Sequence, residues 1–172
     1  LGDVYKRQNW DRVTMKTLYY LRHGKSLRID EGFSSDFDRT LSSSGEEKMN
    51  KAAQGLKNFG EEFDLILASP LVRAQQTAQI LHAAYRDDAK FETLDLLGGS
   101  YNWALLATAL ADYSSFESIV LVGHEPYMSS VCAESIGGDA WLHFKPGTMA
   151  AVDFDQIKPD RQGTLRWLMR VG

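Results

Sequence analysis

Apolar and polar positions follow two different periods along this chain, and the changes of period predict an alternation of strands and helices. Short apolar or alternating runs predict strands at 18–21, 64–68, 91–94, 118–122, 149–154 and 164–169. Between the first five runs, apolar residues recur every three or four positions, which predicts helices near 44–60, 69–85, 101–113 and 126–136. This order predicts an α/β fold, a three-layer α/β/α sandwich with a mostly parallel central sheet that two antiparallel strands close at one edge.

Local sequence signals place the helix ends. Ser44 with Glu47 three residues later matches a capping box, and Gly60 follows the last apolar position of the same helix. Ser69 followed by Pro70 predicts the N-cap and the first turn of the second helix.

Length and composition predict one globular domain. The chain has 172 residues, of which 44% are hydrophobic, enough to build one sizeable core. The segment 1–14 is polar and lacks a period, so we expect it to be disordered or non-native, with a single domain over 15–172. No apolar run reaches the roughly 18–20 residues of a membrane helix, which indicates no membrane association.

Charge and cysteine content exclude several classes of protein. The net charge of −4 argues against nucleic acid as a partner, because nucleic-acid-binding domains are usually basic. A single cysteine, Cys132, rules out an intrachain disulfide and fits a cytoplasmic location. His124-Glu125 lacks the second histidine of a zinc motif, and neither a P-loop nor a dinucleotide-binding glycine pattern is present, so we expect no metal and no cofactor.

Polar side chains follow three of the predicted strands at the points where those strands end. Arg22 and His23 end the first strand, Ser69 to Arg73 follow the second, and Gly123-His124 follow the fourth. Because ligands of open α/β sheets bind at the carboxyl ends of the strands, we expect these groups to line one crevice. Two arginines, two histidines and two helix N-termini are donors suited to an anion, above all phosphate.

Three segments of this chain resemble the motifs of the histidine phosphatase superfamily, which includes the phosphoglycerate mutases. They are Leu-Arg-His-Gly at 21–24, Ser-Pro-x-x-Arg-Ala-x-Gln-Thr at 69–77 and Val-Gly-His at 122–124. Arg-His-x-Lys-Ser at 22–26 and Asp-Phe-Asp-Arg-x-Leu at 36–41 are similar to the SixA-like phosphohistidine phosphatase branch. The resemblance implies a phosphoglycerate mutase-like fold.

The resemblance also implies a role for each of four residues. His23 would be the nucleophile and would form a phosphohistidine intermediate that water hydrolyses. Its imidazole must be neutral to attack, and the charges of Arg22 and Arg73 disfavour the imidazolium form. The two arginines would bind the phosphoryl oxygens, with His124 as a further donor that is best when protonated.

The residues around the nucleophile are candidates for the rim of the phosphate site. We expect Gly24, Lys25 and Ser26 to contact substrate phosphate, although solvation of an ordinary loop is the better explanation for Lys25. Arg39 is expected to fix the following loop through an aspartate or a backbone carbonyl. Asp95 is the candidate general acid, with a plain loop carboxylate as the alternative.

These expectations favour a metal-independent phosphatase acting on phosphohistidine in a protein. Imidazole leaves phosphohistidine easily because it takes up a proton near neutral pH, so the reaction does not need a strong acid. The alternatives are a small phosphorylated substrate cleaved by the same His23, or a phosphate-binding module without turnover. The sequence leaves the substrate and the oligomeric state open.

Overall fold

The computed structural model describes residues 15–85, 88–138 and 141–172, so the predicted terminal segment 1–14 lies outside the described residues. The strands are β1 (Lys16–Arg22), β2 (Leu65–Ala68), β3 (Lys90–Thr93), β4 (Ser118–Gly123), β5 (Thr148–Phe154) and β6 (Thr164–Arg170). The α-helices are α1 (Ser43–Phe59), α2 (Val72–Tyr85), α3 (Trp103–Ala109) and α4 (Tyr127–Ser135). Short 3₁₀ helices lie at Ile29–Glu31, Asp95–Gly98 and Leu110–Tyr113.

The described strands form a six-stranded sheet in the order β3-β2-β4-β1-β5-β6. Neighbouring strands are parallel within the group β3-β2-β4-β1. β5 runs antiparallel to both β1 and β6. The predicted mostly parallel sheet with an antiparallel edge is therefore confirmed. β1 lies centrally, between β4 and β5.

Both faces of the sheet are covered, which explains the continuous apolar runs of the inner strands. In β2, Leu65 and Leu67 belong to the core under α3 and α4, and Ile66 belongs to the core under α1 and α2. Helices on both faces make three layers, as the sequence predicts. None of the helices in the described residues is long and apolar enough to cross a membrane.

The predicted start of α1 is wrong by two residues. Ser42, not Ser44, is the N-cap, and its hydroxyl accepts a hydrogen bond from the Gly45 amide at 3.1 Å. The Ser42 amide also donates to the Lys25 carbonyl at 2.9 Å, and a Cβ on Gly45 would lie 2.1 Å from the same carbonyl oxygen. The tertiary contact with Lys25 therefore decides which serine caps the helix. The end of α1 at Gly60 is confirmed, with a left-handed φ of 88°.

The start of α2 and the length of α3 also differ from the prediction. α2 begins at Val72 rather than at Pro70, because the Ser69 hydroxyl accepts from the Leu71 amide in a turn before the helix. α3 is capped by Asn102 and ends at Ala109, and a 3₁₀ helix completes the predicted span to Tyr113.

Candidate active site

Two parallel strands carry the two predicted histidines to one place. Arg22 at the end of β1 pairs in register with Gly123 at the end of β4, and the His23 amide donates to the Gly123 carbonyl at 3.0 Å. The rings of His23 and His124 have their centroids 5.0 Å apart. The sequence expectation that these two residues share a crevice at the strand ends agrees with this geometry.

The turn before β5 also holds the end of β1. Gly147, with a left-handed φ of 73°, donates its amide to the carbonyls of Arg22 and His23 at 3.2 and 3.1 Å. A residue with a side chain is strained in this conformation, so glycine suits the position. The backbone of the predicted nucleophile is thereby held from the β4 side and from the β5 side.

The imidazole of His23 is oriented through its Nδ1 atom. Nδ1 lies 2.7 Å from the Gly24 carbonyl, and because a carbonyl only accepts, this nitrogen carries the proton. Nε2 then keeps its lone pair, and it accepts a hydrogen bond from Nε of Arg73 at 3.2 Å. The atom that would attack phosphorus is therefore in the correct tautomer and faces a predicted phosphate donor.

Gly24 holds the carbonyl that orients His23. Its amide donates to the Thr77 hydroxyl at 3.1 Å, and that hydroxyl donates to the Arg73 carbonyl at 2.7 Å. A Cβ on Gly24 would lie 2.6 Å from Cγ of Met49 on α1. Close packing against a helix is thus a reason for glycine here, beside the approach of a ligand that the sequence suggests.

Arg73 is the second residue of α2 and is only 6% exposed. Nη1 donates to the Asp36 carbonyl at 2.6 Å, and Nη2 donates to Oδ2 of the same residue at 2.8 Å. The loop between β1 and α1 therefore reaches the site through Asp36.

The Arg22 side chain is held by a hydrogen bond to the segment before β5. Its Nη1 donates to the Phe144 carbonyl at 2.6 Å, and the Phe144 amide donates to Oε1 of Glu125 at 2.9 Å. Nε of Arg22 is buried and has no hydrogen-bond partner among the described residues. An anion bound at the site would satisfy this donor.

His124 contacts Ser69, the residue that follows β2. Nε2 of His124 and Oγ of Ser69 are 2.7 Å apart. The buried Nδ1 atom of His124 has no partner within the described part of the chain. The three polar clusters of the sequence thus meet: Arg22-His23 after β1, Ser69 and Arg73 after β2, and His124 after β4.

Burial keeps both imidazoles neutral. The pKa of His23 is lowered to about 3, chiefly by desolvation and then by the charges of His124, Arg73 and Arg22, while its hydrogen bond to the Gly24 carbonyl acts in the opposite direction. Desolvation, then Arg73, lowers the pKa of His124 to about 4. A neutral His23 agrees with the sequence expectation, although burial has a larger effect than the arginines. The lowered pKa keeps His124 neutral near pH 7, and a bound phosphoryl dianion would favour its protonated form.

The predicted rim residues lie around these groups with varied contacts. The Lys25 side chain is exposed, and the Ser26 hydroxyl accepts from Nη2 of Arg39 at 2.8 Å. Arg39 also donates to the Leu27 carbonyl and pairs with Asp36, which confirms that it fixes the loop. Asp95 is exposed on a 3₁₀ helix. Among the described residues, no hydrogen bond joins it to Arg22, His23, Arg73 or His124. The roles of Lys25, Ser26 and Asp95 stay predictions.

Sequence reasoning missed three supporting side chains. In the sequence, Asp36 stands out only as the first residue of the motif at 36–41, and Thr77 only as the last residue of the motif at 69–77. Glu125 stands out only as part of an incomplete zinc motif. The spacing of Arg73 and Thr77, four residues apart on one helix, could have indicated that they act together. Among the described residues, no group of three His, Cys, Asp or Glu side chains is arranged to hold a metal ion.

Comparison with known proteins agrees with this arrangement. A family model described as the histidine phosphatase superfamily (branch 1) matches residues 18–97. Phosphohistidine phosphatase SixA of Escherichia coli is 25% identical over 154 residues, covering 88% of this chain and 92% of that protein. The chain belongs to the histidine phosphatase superfamily. Its similarity to SixA places it in the SixA-like branch. Because SixA is a phosphatase, this similarity, rather than superfamily membership alone, identifies the chain as a hydrolase of the phosphatase class.

Two further comparisons give one sequence relative and one structure with the same fold. An uncharacterized protein from Picosynechococcus sp. is 39% identical over 115 residues, covering 63% of this chain and 66% of that protein. A structure of the protein histidine phosphatase SixA complexed with tungstate superposes with a TM-score of 0.77 at 24% identity, covering 90% of this chain and 97% of that chain. The phosphoglycerate mutase-like fold predicted from the sequence is thereby confirmed.

Proposed function

We propose that this chain is a metal-independent phosphatase that works through a phosphohistidine intermediate on His23. The observation that carries the proposal is the orientation of His23, whose protonated Nδ1 is tied to the Gly24 carbonyl while Nε2 accepts from Arg73. A neutral, fixed imidazole beside two guanidinium groups combines a nucleophile with the donors that a phosphoryl group needs.

The reaction follows from the groups that surround Nε2 of His23. Nε2 attacks phosphorus in line, so an N–P bond forms as the bond to the leaving group breaks. Arg22, Arg73 and His124 donate to the equatorial oxygens, whose charge is stabilised in a loose transition state. Water then attacks the phosphohistidine, releases inorganic phosphate and restores the neutral imidazole.

The substrate we propose is phosphohistidine in a protein. Asp95, the candidate acid, is exposed on a 3₁₀ helix, which suits a reaction that does not depend on a strong acid. Imidazole is such a leaving group because it protonates near neutral pH, unlike an alkoxide. The similarity to SixA, named a phosphohistidine phosphatase, supports the same substrate. We further propose a cytoplasmic location. Both a phosphoprotein substrate and the free, buried Cys132 are compatible with that compartment.

Trapping the intermediate tests the nucleophile. The protein is mixed with a ³²P-labelled phosphohistidine peptide in the presence of EDTA, quenched in alkali and digested, and the labelled peptide is mapped. Label on His23 is expected, and label on another residue contradicts the mechanism. Phosphate release by His23→Ala should fall by at least about 10³-fold. A rate equal to that of the wild type contradicts turnover on His23.

Substrate preference tests the finer proposal. We expect kcat/KM for the phosphohistidine peptide to exceed that for glucose 6-phosphate, assayed under the same conditions. The reverse preference, with label still on His23, would favour a small-molecule phosphomonoesterase.

A further inference from the structure

The guanidinium of Arg73 is held at all three of its nitrogen atoms. Nε donates to Nε2 of His23 at 3.2 Å, Nη1 to the Asp36 carbonyl at 2.6 Å and Nη2 to the Asp36 carboxylate at 2.8 Å. Because a guanidinium is planar and rigid, two contacts with one residue set the direction of its plane. The edge that remains is directed at the predicted nucleophile.

Asp36 is itself fixed by the loop that carries it. Its Oδ1 atom accepts from Nη1 of Arg39 at 2.6 Å, and Arg39 donates to the Leu27 carbonyl and the Ser26 hydroxyl at 2.8 Å each. The Phe37 carbonyl, one residue on, accepts from the Val72 amide at the start of α2 at 3.2 Å. The backbone of the loop is therefore attached to the helix on which Arg73 stands.

Stability alone is a poor explanation for the pair of Asp36 and Arg73. The Asp36 side chain is 53% exposed, and an ion pair with such an exposed partner contributes little to folding. Arg73 is nearly buried, and its pKa is lowered by desolvation against the opposing contacts with Asp36. What the contact provides is orientation of a group at the reaction centre.

We propose that Asp36 is a positioning residue that orients Arg73 toward the phosphoryl group carried by His23. This rests on the proposed function of His23. Asp36 acts through the guanidinium, so its carboxylate contributes only while Arg73 is present. Arg39 supports it by holding the carboxylate from the solvent side.

A double-mutant cycle on the full chain tests this dependence. kcat and KM for a phosphohistidine peptide, and Kd for inorganic phosphate by calorimetry, are measured for wild type, Asp36→Ala, Arg73→Ala and the double variant. Asp36→Ala should lower kcat about tenfold in the wild-type background and less than about twofold in the Arg73→Ala background, because contacting residues are not additive. Asp36→Asn, which keeps an acceptor oxygen, should recover part of the loss.

Asp30→Ala is the matched control, because Asp30 is an exposed carboxylate of the same loop and forms a salt bridge with the exposed Arg28. It should leave kcat and KM unchanged. An equal loss from Asp36→Ala in both backgrounds, no loss in either, or tighter phosphate binding by Asp36→Ala would each overturn the positioning role. A wild-type rate in His23→Ala would instead overturn the proposed function, whatever the cycle shows.

Discussion

Nε of Arg73 donates a hydrogen bond to Nε2 of His23 across 3.2 Å. The lone pair that would attack phosphorus therefore accepts a hydrogen bond from one of the donors that would bind the phosphoryl oxygens. A phosphoryl group entering the site has to separate these two nitrogens and take over the N–H of Arg73. Transfer of this hydrogen bond from His23 to a phosphoryl oxygen would free the nucleophile and would also stabilise the charge on that oxygen.

We predict that His23 stays neutral throughout the range from pH 5 to pH 8 in the free protein. Its pKa is lowered to about 3, chiefly by burial, so the attacking form is lost only when the pH falls toward that value. NMR titration of ¹⁵N-labelled imidazoles measures this directly. A midpoint for His23 near the ordinary value of about 6.5 would contradict the burial described here.

Stability should decrease on mild acidification. The pKa values of His23 and His124 are about 3 and about 4 in the folded protein, both below that of a histidine in the unfolded chain. Below about pH 6.5 the unfolded state therefore binds more protons than the folded state, and stability falls as the pH falls. Each histidine contributes up to about 1.4 kcal/mol per pH unit.

Urea denaturation at pH 7, 6 and 5 measures this dependence on pH. His23→Asn should reduce the slope, because it removes one of the two buried imidazoles. A free energy of unfolding that is constant or rises between pH 7 and pH 5 would be inconsistent with two buried neutral histidines.

Thr77→Val should lower both stability and kcat. Valine has nearly the shape of threonine but leaves the Gly24 amide without its acceptor, at a cost of about 1–3 kcal/mol. Because the Gly24 carbonyl orients His23, we expect kcat to fall as well. Thr108→Val is the control, since its hydroxyl donates only to the Ala104 carbonyl on an exposed helix surface. Similar effects on kcat from both substitutions would refute a role for Thr77 in orienting the nucleophile.

Gly45→Ala should destabilise the protein, and Gly55→Ala on the same helix should not. A Cβ at Gly45 would meet the Lys25 carbonyl oxygen at 2.1 Å, so the N-terminus of α1 must move away from the loop after His23. A Cβ at Gly55 would meet no described atom within 4 Å apart from its own stretch of helix, so alanine should add about 0.5–1 kcal/mol through helix propensity. Thermal unfolding of the two variants separates these effects, and equal melting temperatures would contradict the packing described for Gly45.

Strand-end residues were predictable because topology determines their position. His23 and His124 follow apolar strands that a parallel sheet aligns at the same edge, so their proximity follows from the order of strands and helices. Asp36 lies in a loop without a period, and only the folded backbone brings it to Arg73. Three consecutive serines, 42–44, offer similar capping signals, and the Lys25 carbonyl, distant in sequence, decides between them. Local patterns carry no information about such contacts.

The amide of Gly147 reaches the carbonyls of both Arg22 and His23. Arg22, His23, Arg73 and His124 all precede Gly147 in the chain. A fragment that ended before Gly147 would nevertheless lack the amide that holds the end of β1. We therefore expect catalytic competence to appear during synthesis only after the β5–β6 hairpin has emerged and joined the sheet.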